Sequence, residues 1–278
     1  MKGAQVQVKT INGTEVLIEG TGSETVLMLH GWPDTRALWE KQVEAFKPHF
    51  RCVRFTWPGF EPGAASVEHS LDALIGLCEA VVREVSPDKP VILLVHDWGC
   101  LFGYHFAMRH PDRVSRVVGV DIGDAGSREF KKATTIPALL GIVGYQLWLA
   151  AAWRIGGGVG ENMSRWLSRQ MGVPTPPDQI TVAKNYPYYS TWTGKYKGVK
   201  TFRPACPMLF VYGTRKPFMF HSPQWEAWLN ARPGSKAVAM DTDHWPMLRR
   251  PDEFNTLVLR WLLSHQSNEV TDASPAVL

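Results

Sequence analysis

The sequence predicts an α/β protein, a mostly parallel sheet flanked by helices and interrupted by one helical insertion. Three observations carry this. The run Val91-Ile92-Leu93-Leu94-Val95 is apolar without alternation, the pattern of a strand buried on both faces. Strand-like and helix-like stretches alternate around it, as in a doubly wound sheet. From Asp124 to about Arg203 that alternation stops, and aromatic, helix-like sequence broken by Gly and Pro takes its place.

Taken in order, Gln5-Val6-Gln7-Val8 alternates, Ile11-Asn12-Gly13-Thr14 reads as a turn and Val16-Leu17-Ile18 resumes, so the chain opens with a hairpin. Thr25 to Leu29 is a third strand, ending in His30-Gly31-Trp32-Pro33. Leu38, Trp39, Val43 and Phe46 recur at helical spacing up to Lys47-Pro48, and Arg51 to Phe55 is the next strand. Beyond the loop Trp57-Pro58-Gly59-Phe60, the residues Leu71, Leu74, Ile75, Cys78, Val81 and Val82 mark an amphipathic helix. The central strand follows, then a helix from Leu101 to Arg109 and a strand from Val114 to Val120. After the insertion, Pro207 to Tyr212 is a strand, Pro223 to Leu229 a helix, Ala237 to Met240 a last strand and Glu253 to Leu263 a last helix. This divides the chain into a core of residues 1–123 and 204–265, a helical insertion over 124–203 and a polar, frayed tail over 266–278.

At 278 residues the chain can bury one large core. Its net charge is +4, but the basic residues come singly or in pairs such as Lys131-Lys132, which argues against nucleic acid as a partner and against a polyanionic substrate. Twelve tryptophans and 20 prolines suit a rigid, apolar small-molecule cavity. Cys52, Cys78, Cys100 and Cys206 are scattered, without the paired spacing of a zinc site or a disulfide framework, so reduced thiols in the cytoplasm and no metal are expected. No secretion signal is visible at the N-terminus. The most hydrophobic window, Leu139 to Trp153, has no charge over 15 residues, which is short for a bilayer crossing; it reads as a buried or cavity-lining helix, with no membrane span.

The chemistry concentrates at strand ends. In His96-Asp97-Trp98-Gly99-Cys100, the small Gly99 and Cys100 let the following helix approach its strand, and Asp97 is pushed outward at the apex of the turn. Asp121 follows the next strand and His244 the last one. An aspartate after a strand is more often a cap, and a single histidine there is more often structural. The three in this order outweigh that plain account.

Through His30-Gly31-Trp32-Pro33 and His96-Asp97-Trp98-Gly99 the chain resembles the α/β-hydrolase superfamily, in its epoxide hydrolase and haloalkane dehalogenase branch. The resemblance implies the α/β-hydrolase fold, the insertion as a helical cap and a cofactor-free hydrolase acting on a small apolar substrate and water. It implies Asp97 as nucleophile forming an alkyl ester, His244 as the base that activates water, and backbone N–H groups of Trp32 and Trp98 as the oxyanion hole. Asp121 is the first choice for the acid that orients His244, Asp124 the fallback and Asp243 the last. The acid commonly found after the strand ending at Gly213 is absent here, where Lys216 stands, and a cation cannot steady an imidazolium. Opening an epoxide needs acidic hydroxyls over the nucleophile, and Tyr145 with Tyr189 is the expected pair, Tyr186 and Tyr188 being fallbacks. The plain account is that these aromatics only pack the cap. Trp32 stands where dehalogenases often carry a halide-binding asparagine, which favours an epoxide hydrolase, with a haloalkane dehalogenase or a non-catalytic ligand-binding homologue as alternatives. His30 and His96 read as buried supports, His221 has no assigned role, and the Trp57 loop is expected near the pocket.

Overall fold

The structure, a computed structural model, describes residues 6–266, so most of the expected tail lies outside the described residues. Eight strands form a single sheet: β1 (Gln7–Ile11), β2 (Thr14–Glu19), β3 (Thr25–Leu29), β4 (Arg51–Phe55), β5 (Val91–His96), β6 (Val114–Val120), β7 (Met208–Gly213) and β8 (Lys236–Met240). Their order is β1-β2-β4-β3-β5-β6-β7-β8. β1 and β2 form the expected hairpin, β2 pairs antiparallel with β4, and the remaining pairs are parallel. This is the α/β-hydrolase fold.

The helices, in chain order, are α1 (Glu40–Phe46), α2 (Leu71–Val85), α3 (Trp98–Arg109), α4 (Arg128–Ala133), α5 (Ile136–Ile155), α6 (Gly157–Gln170), α7 (Tyr186–Trp192), α8 (Pro223–Asn230), α9 (Pro246–Arg249) and α10 (Pro251–Ser264). Two cores explain the unbroken apolar run of β5. Leu93 and Val95 face one core with Leu27, Leu29, Leu74, Cys78 and Phe102, on the side of α2 and α3. Ile92 and Leu94 face the other with Val26, Met28, Trp39, Val43 and Phe254, on the side of α1 and α10. Successive residues point to opposite faces, and both faces are covered, so no position on β5 needs to be polar. Each such burial contributes about 1.5–3 kcal/mol.

Register places the chemistry on one edge. Leu29 pairs with Val95, His96 with Val120 and Val120 with Val211, so the C-terminal ends of the parallel strands line up. The residues immediately beyond these ends, His30-Gly31-Trp32, Asp97 and Asp121, therefore share that edge.

Between β6 and β7 the chain runs through α4 to α7 with no strand. α5 starts at Thr135, whose hydroxyl accepts from the N–H of Ala138 at 3.4 Å, and stops at Gly156, which has a φ of 70°. It packs against α6 and α7. Of the two expectations for this helix, lining a cavity holds, since Gly141 and Tyr145 border one, but burial is corrected here. Ile142, Leu149 and Ala152 turn inward, but only 22% of its most apolar window is buried. The inserted helices have no further layer above them, so the lack of charge along α5 does not signal burial of its outer face. Among the described residues it is also the one helix long and apolar enough, by length and composition, to cross a membrane.

Candidate active site

Asp97 sits at the turn between β5 and α3 with φ 53° and ψ −122°, a left-handed conformation that costs a residue with a side chain on the order of 1–3 kcal/mol. Close approach of backbone segments holds it there. A Cβ on Gly99 would lie 2.3 Å from the Leu29 carbonyl oxygen, and one on Gly31 would lie 2.3 Å from Asp97 Oδ1. Only glycine lets α3 and the β3 loop close around the carboxylate.

With the loops this close, the backbone N–H of Trp32 donates to Asp97 Oδ1 at 2.6 Å. Asp97 Oδ2 lies 3.5 Å from His244 Nε2. The other ring nitrogen, Nδ1, bonds Asp121 Oδ2, and Asp121 Oδ1 accepts from Lys216 Nζ and, at 3.0 Å, from the N–H of Gly213. Asp121 is fully buried and also has a positive φ, 69°. The result is a row of alternating charge: Lys216, Asp121, His244, Asp97.

Each charge sets its neighbour's proton affinity. Burial alone would lower the His244 pKa, but the Asp121 and Asp97 carboxylates outweigh it and raise it to about 9. Burial works to raise Asp121, yet Lys216 and His244 hold it far below the usual carboxylate range. Asp97 is pushed up by burial and brought to a net decrease by His244 and the Trp32 N–H. At neutral pH both carboxylates are ionised and the imidazole between them is protonated.

His96 lies against this row, its ring centroid 4.5 Å from that of His244 and its Nε2 3.0 Å from the His244 carbonyl oxygen. Burial lowers it to about 3, so it is neutral and Nε2 carries the proton donated to that carbonyl. His30, also lowered by burial to about 3, accepts from the Trp57 N–H at 3.1 Å and contacts the Gly31 carbonyl at 3.0 Å.

Asp97 borders two cavities, of about 300 and 130 Å³, and Tyr145, Tyr188 and Phe220 border both. The Tyr145 and Tyr188 rings are 6.0 Å apart. Burial pushes both hydroxyls well above their ordinary pKa, and the Asp97 charge adds to this, so they stay protonated and can donate. A larger depression, about 590 Å³, lies around Asn12, Arg36 and His69, away from Asp97 and without such a row of paired groups.

Several expected residues sit elsewhere. Tyr189, the expected partner of Tyr145, points away from the cavities and stacks on Trp153 at 4.5 Å; one residue earlier on α7, Tyr188 faces Trp32 and Trp98. Adjacent helical residues diverge by about 100°, which is why the choice between them cannot be read from a tyrosine cluster. Tyr186 packs on Phe60 and His69. Asp124 does not reach His244: it accepts from the Ser127 hydroxyl and from the N–H and hydroxyl of Ser222, at 2.7 to 2.8 Å, and ties the loop after β6 to the start of α8. Asp243 turns outward to the Trp245 N–H and to Arg249. Trp57 does not line the pocket; its indole donates to the His30 carbonyl at 2.8 Å and packs on Phe55 and Phe102, behind the Asp97 turn. His221 bonds Glu226, which also accepts from Tyr212.

Sequence reasoning missed the groups that join the two layers. Trp32 Nε1 donates to Asn185 Oδ1 at 2.8 Å, and Asn185 donates to the Ser164 hydroxyl at 2.7 Å, linking the Asp97 edge to α6. Buried Asp34 accepts from the Trp245 indole at 3.0 Å and from Thr175 at 2.6 Å, and buried Lys184 donates to the Pro33 carbonyl at 2.7 Å. The only signal for Asp34 was its place directly after Trp32-Pro33.

A family model described as the alpha/beta hydrolase fold matches residues 24–145. The chain is 29% identical over 113 residues to epoxide hydrolase 1 of Caenorhabditis elegans, a match covering 38% of this chain and 28% of that protein. It is 30% identical over 160 residues to an epoxide hydrolase of Neurospora crassa, covering 53% of this chain and 46% of the relative. The chain thus spans less than half the length of these relatives. A crystal structure of an epoxide hydrolase from Vigna radiata superposes with a TM-score of 0.68 at 18% identity, over 95% of this chain and 99% of that one.

Proposed function

We propose that this chain, which belongs to the α/β-hydrolase superfamily on its epoxide hydrolase branch, hydrolyses apolar epoxides to diols through an ester on Asp97. The observation that carries the reading is a carboxylate at the strained β5–α3 turn, with one oxygen on the Trp32 N–H, the other facing His244, and the Tyr145 and Tyr188 rings beside it. The named relatives agree with it in kind. The inserted helices over 124–203 act in this reading as the cap above the core of 1–123 and 204–265.

The two oxygens of Asp97 take different parts. Oδ1 is held by the Trp32 N–H, so Oδ2 attacks an epoxide carbon, the C–O bond breaks, and the alkoxide takes a proton from Tyr145 or Tyr188. Esterification removes the negative charge of Asp97. His244 loses one of the two carboxylates that keep it protonated, so its pKa falls, its proton returns through cavity water to the tyrosinate left by the first step, and it becomes the base that the second step needs. It then draws a proton from water, which attacks the ester carbonyl. The oxyanion forms at Oδ1 against the Trp32 N–H, joined by that of Trp98; as it collapses, the bond from the carboxyl carbon to the ester oxygen breaks, that oxygen leaves in the diol with the proton of the newly added hydroxyl, and the carboxylate is restored. Asp121 orients the imidazole and stabilises its charge, and Lys216 secures Asp121 from the other side. No cofactor takes part.

Dehalogenation at the same nucleophile is the second reading, favoured by Trp98 beside Asp97 on the smaller cavity. It lacks a second halide donor on the β3 loop, because the Trp32 indole is committed to Asn185. The pairing of Lys216 with Asp121 gives that lysine a place in the row and weighs against a non-catalytic homologue. Single turnover of an aryl epoxide in heavy-oxygen water tests the main reading: label is expected in the Asp97 carboxylate, and its absence there sinks the ester mechanism. A bromoalkane turned over faster than the epoxide would select the second reading.

A further inference from the structure

We infer that the outward face of α5 docks the protein on the surface of a membrane containing anionic lipid. The inference is independent of the reaction at Asp97. Ile136, Leu140, Leu147 and Ile155 are 75%, 66%, 45% and 57% exposed, and Val159 at the start of α6 is 63% exposed. Positions 136, 140, 147 and 151 follow at intervals of four, seven and four, so they form one stripe, while Ile142, Leu149 and Ala152 take the opposite, buried side. A stripe of this length, apolar and unbroken, strongly favours an apolar neighbour.

Charge decides what that neighbour is. Between Glu129 and Glu161 the chain has no carboxylate and three cations, Lys131, Lys132 and Arg154, at the two ends of the stripe. All three are exposed and none has an ion-pair partner among the described residues. Pairing the stripe with a second copy, parallel or antiparallel, sets cation against cation at both ends. Anionic headgroups meet the same cations favourably, each worth several-fold in affinity near a charged bilayer. The indoles of Trp148 and Trp166, half-exposed and 5.1 Å apart, flank the stripe and suit the headgroup boundary. The helix lies on the bilayer and does not cross it: its other side packs on α6 and α7 and carries Tyr145 to the cavity at Asp97. Gly141 of α5, with Gln170 and Met171 at the end of α6, borders that cavity, so its mouth opens beside the docking face.

Flotation of the full chain with vesicles tests this, using phosphatidylcholine alone and phosphatidylcholine with roughly one third phosphatidylglycerol. The protein is expected to float with the mixed vesicles, about tenfold more than with phosphatidylcholine, and to be partly released by high salt. The variant Leu140→Glu/Leu147→Glu, checked for folding by circular dichroism, is expected to stay in the aqueous layer, and Lys131→Ala/Lys132→Ala to bind at least about tenfold more weakly. A wild-type protein that floats with neither vesicle, or a double glutamate variant that floats equally well, overturns the inference. So does a wild-type dimer in sedimentation equilibrium that the glutamates dissociate without any vesicle binding, which assigns the face to a second copy.

Discussion

The strand-end edge and the inserted helices treat polar groups in opposite ways. At the edge, Asp97, Asp121, His244 and Lys216 lie in one row of hydrogen bonds and ion pairs, two of them in strained backbone, and each oxygen or ring nitrogen has a partner. Among the inserted helices the cavity receives aromatic rings and two tyrosine hydroxyls, and the outward stripe of α5 is bare hydrocarbon. The edge is built to hold charge in place, so its electrostatics are set before any substrate arrives. The helices shape space and offer neutral donors, which lets them contact an apolar molecule without paying to desolvate charge.

Substitutions on the two sides separate these roles. Asp97→Asn is expected to lower kcat by on the order of 10⁴-fold or more, since nothing else at the edge can form the ester; steady-state diol release measures it. Asp121→Asn removes the main anion holding His244, so ester hydrolysis should slow by roughly 10²–10⁴-fold and the alkyl-enzyme should accumulate, visible as a burst and by intact mass. On the helices, Tyr188→Phe is expected to slow ester formation on the order of 10²-fold, while Tyr189→Phe leaves it unchanged. Equal effects in single-turnover rates would break the assignment of the pocket-facing hydroxyl.

The smallest effect is on stability. The folded His244 pKa of about 9 lies above its ordinary 6.5, so its contribution is complete below pH 6.5 and is lost as pH rises through 9. Relative to His244→Gln, wild-type stability should fall by on the order of 2 kcal/mol between those limits, measured by urea unfolding. A parallel pair of curves would mean that the row does not hold a protonated imidazole.

The edge was more legible than the helices. The unbroken apolar run of β5 and the glycine after its turn announced Asp97, and the alternation of strands and helices put Asp121 and His244 after strands of the same sheet. Lys216 was legible as a departure but not in its placement: whether it opposes His244 or grips Asp121 depends on where a loop folds back. Tyr188 and Tyr189 could not be separated, because adjacent residues on a short helix face different ways and the rotation of α7 is set by its packing on α5. Asp124 stood behind Asp121 as a candidate in the sequence, and its bonds from Ser127 and Ser222 are what keep it from His244.

By itself, then, the sequence determined the order of elements and which residues stand at strand ends, because backbone periodicity, buried apolar runs and glycine turns are local properties of the chain. Tertiary structure alone decided which carboxylate meets His244, what Lys216 does, which tyrosine faces Asp97 and that α5 leaves one side bare. Those depend on how helices and loops distant in sequence rotate and settle against the sheet, and no local pattern encodes that rotation.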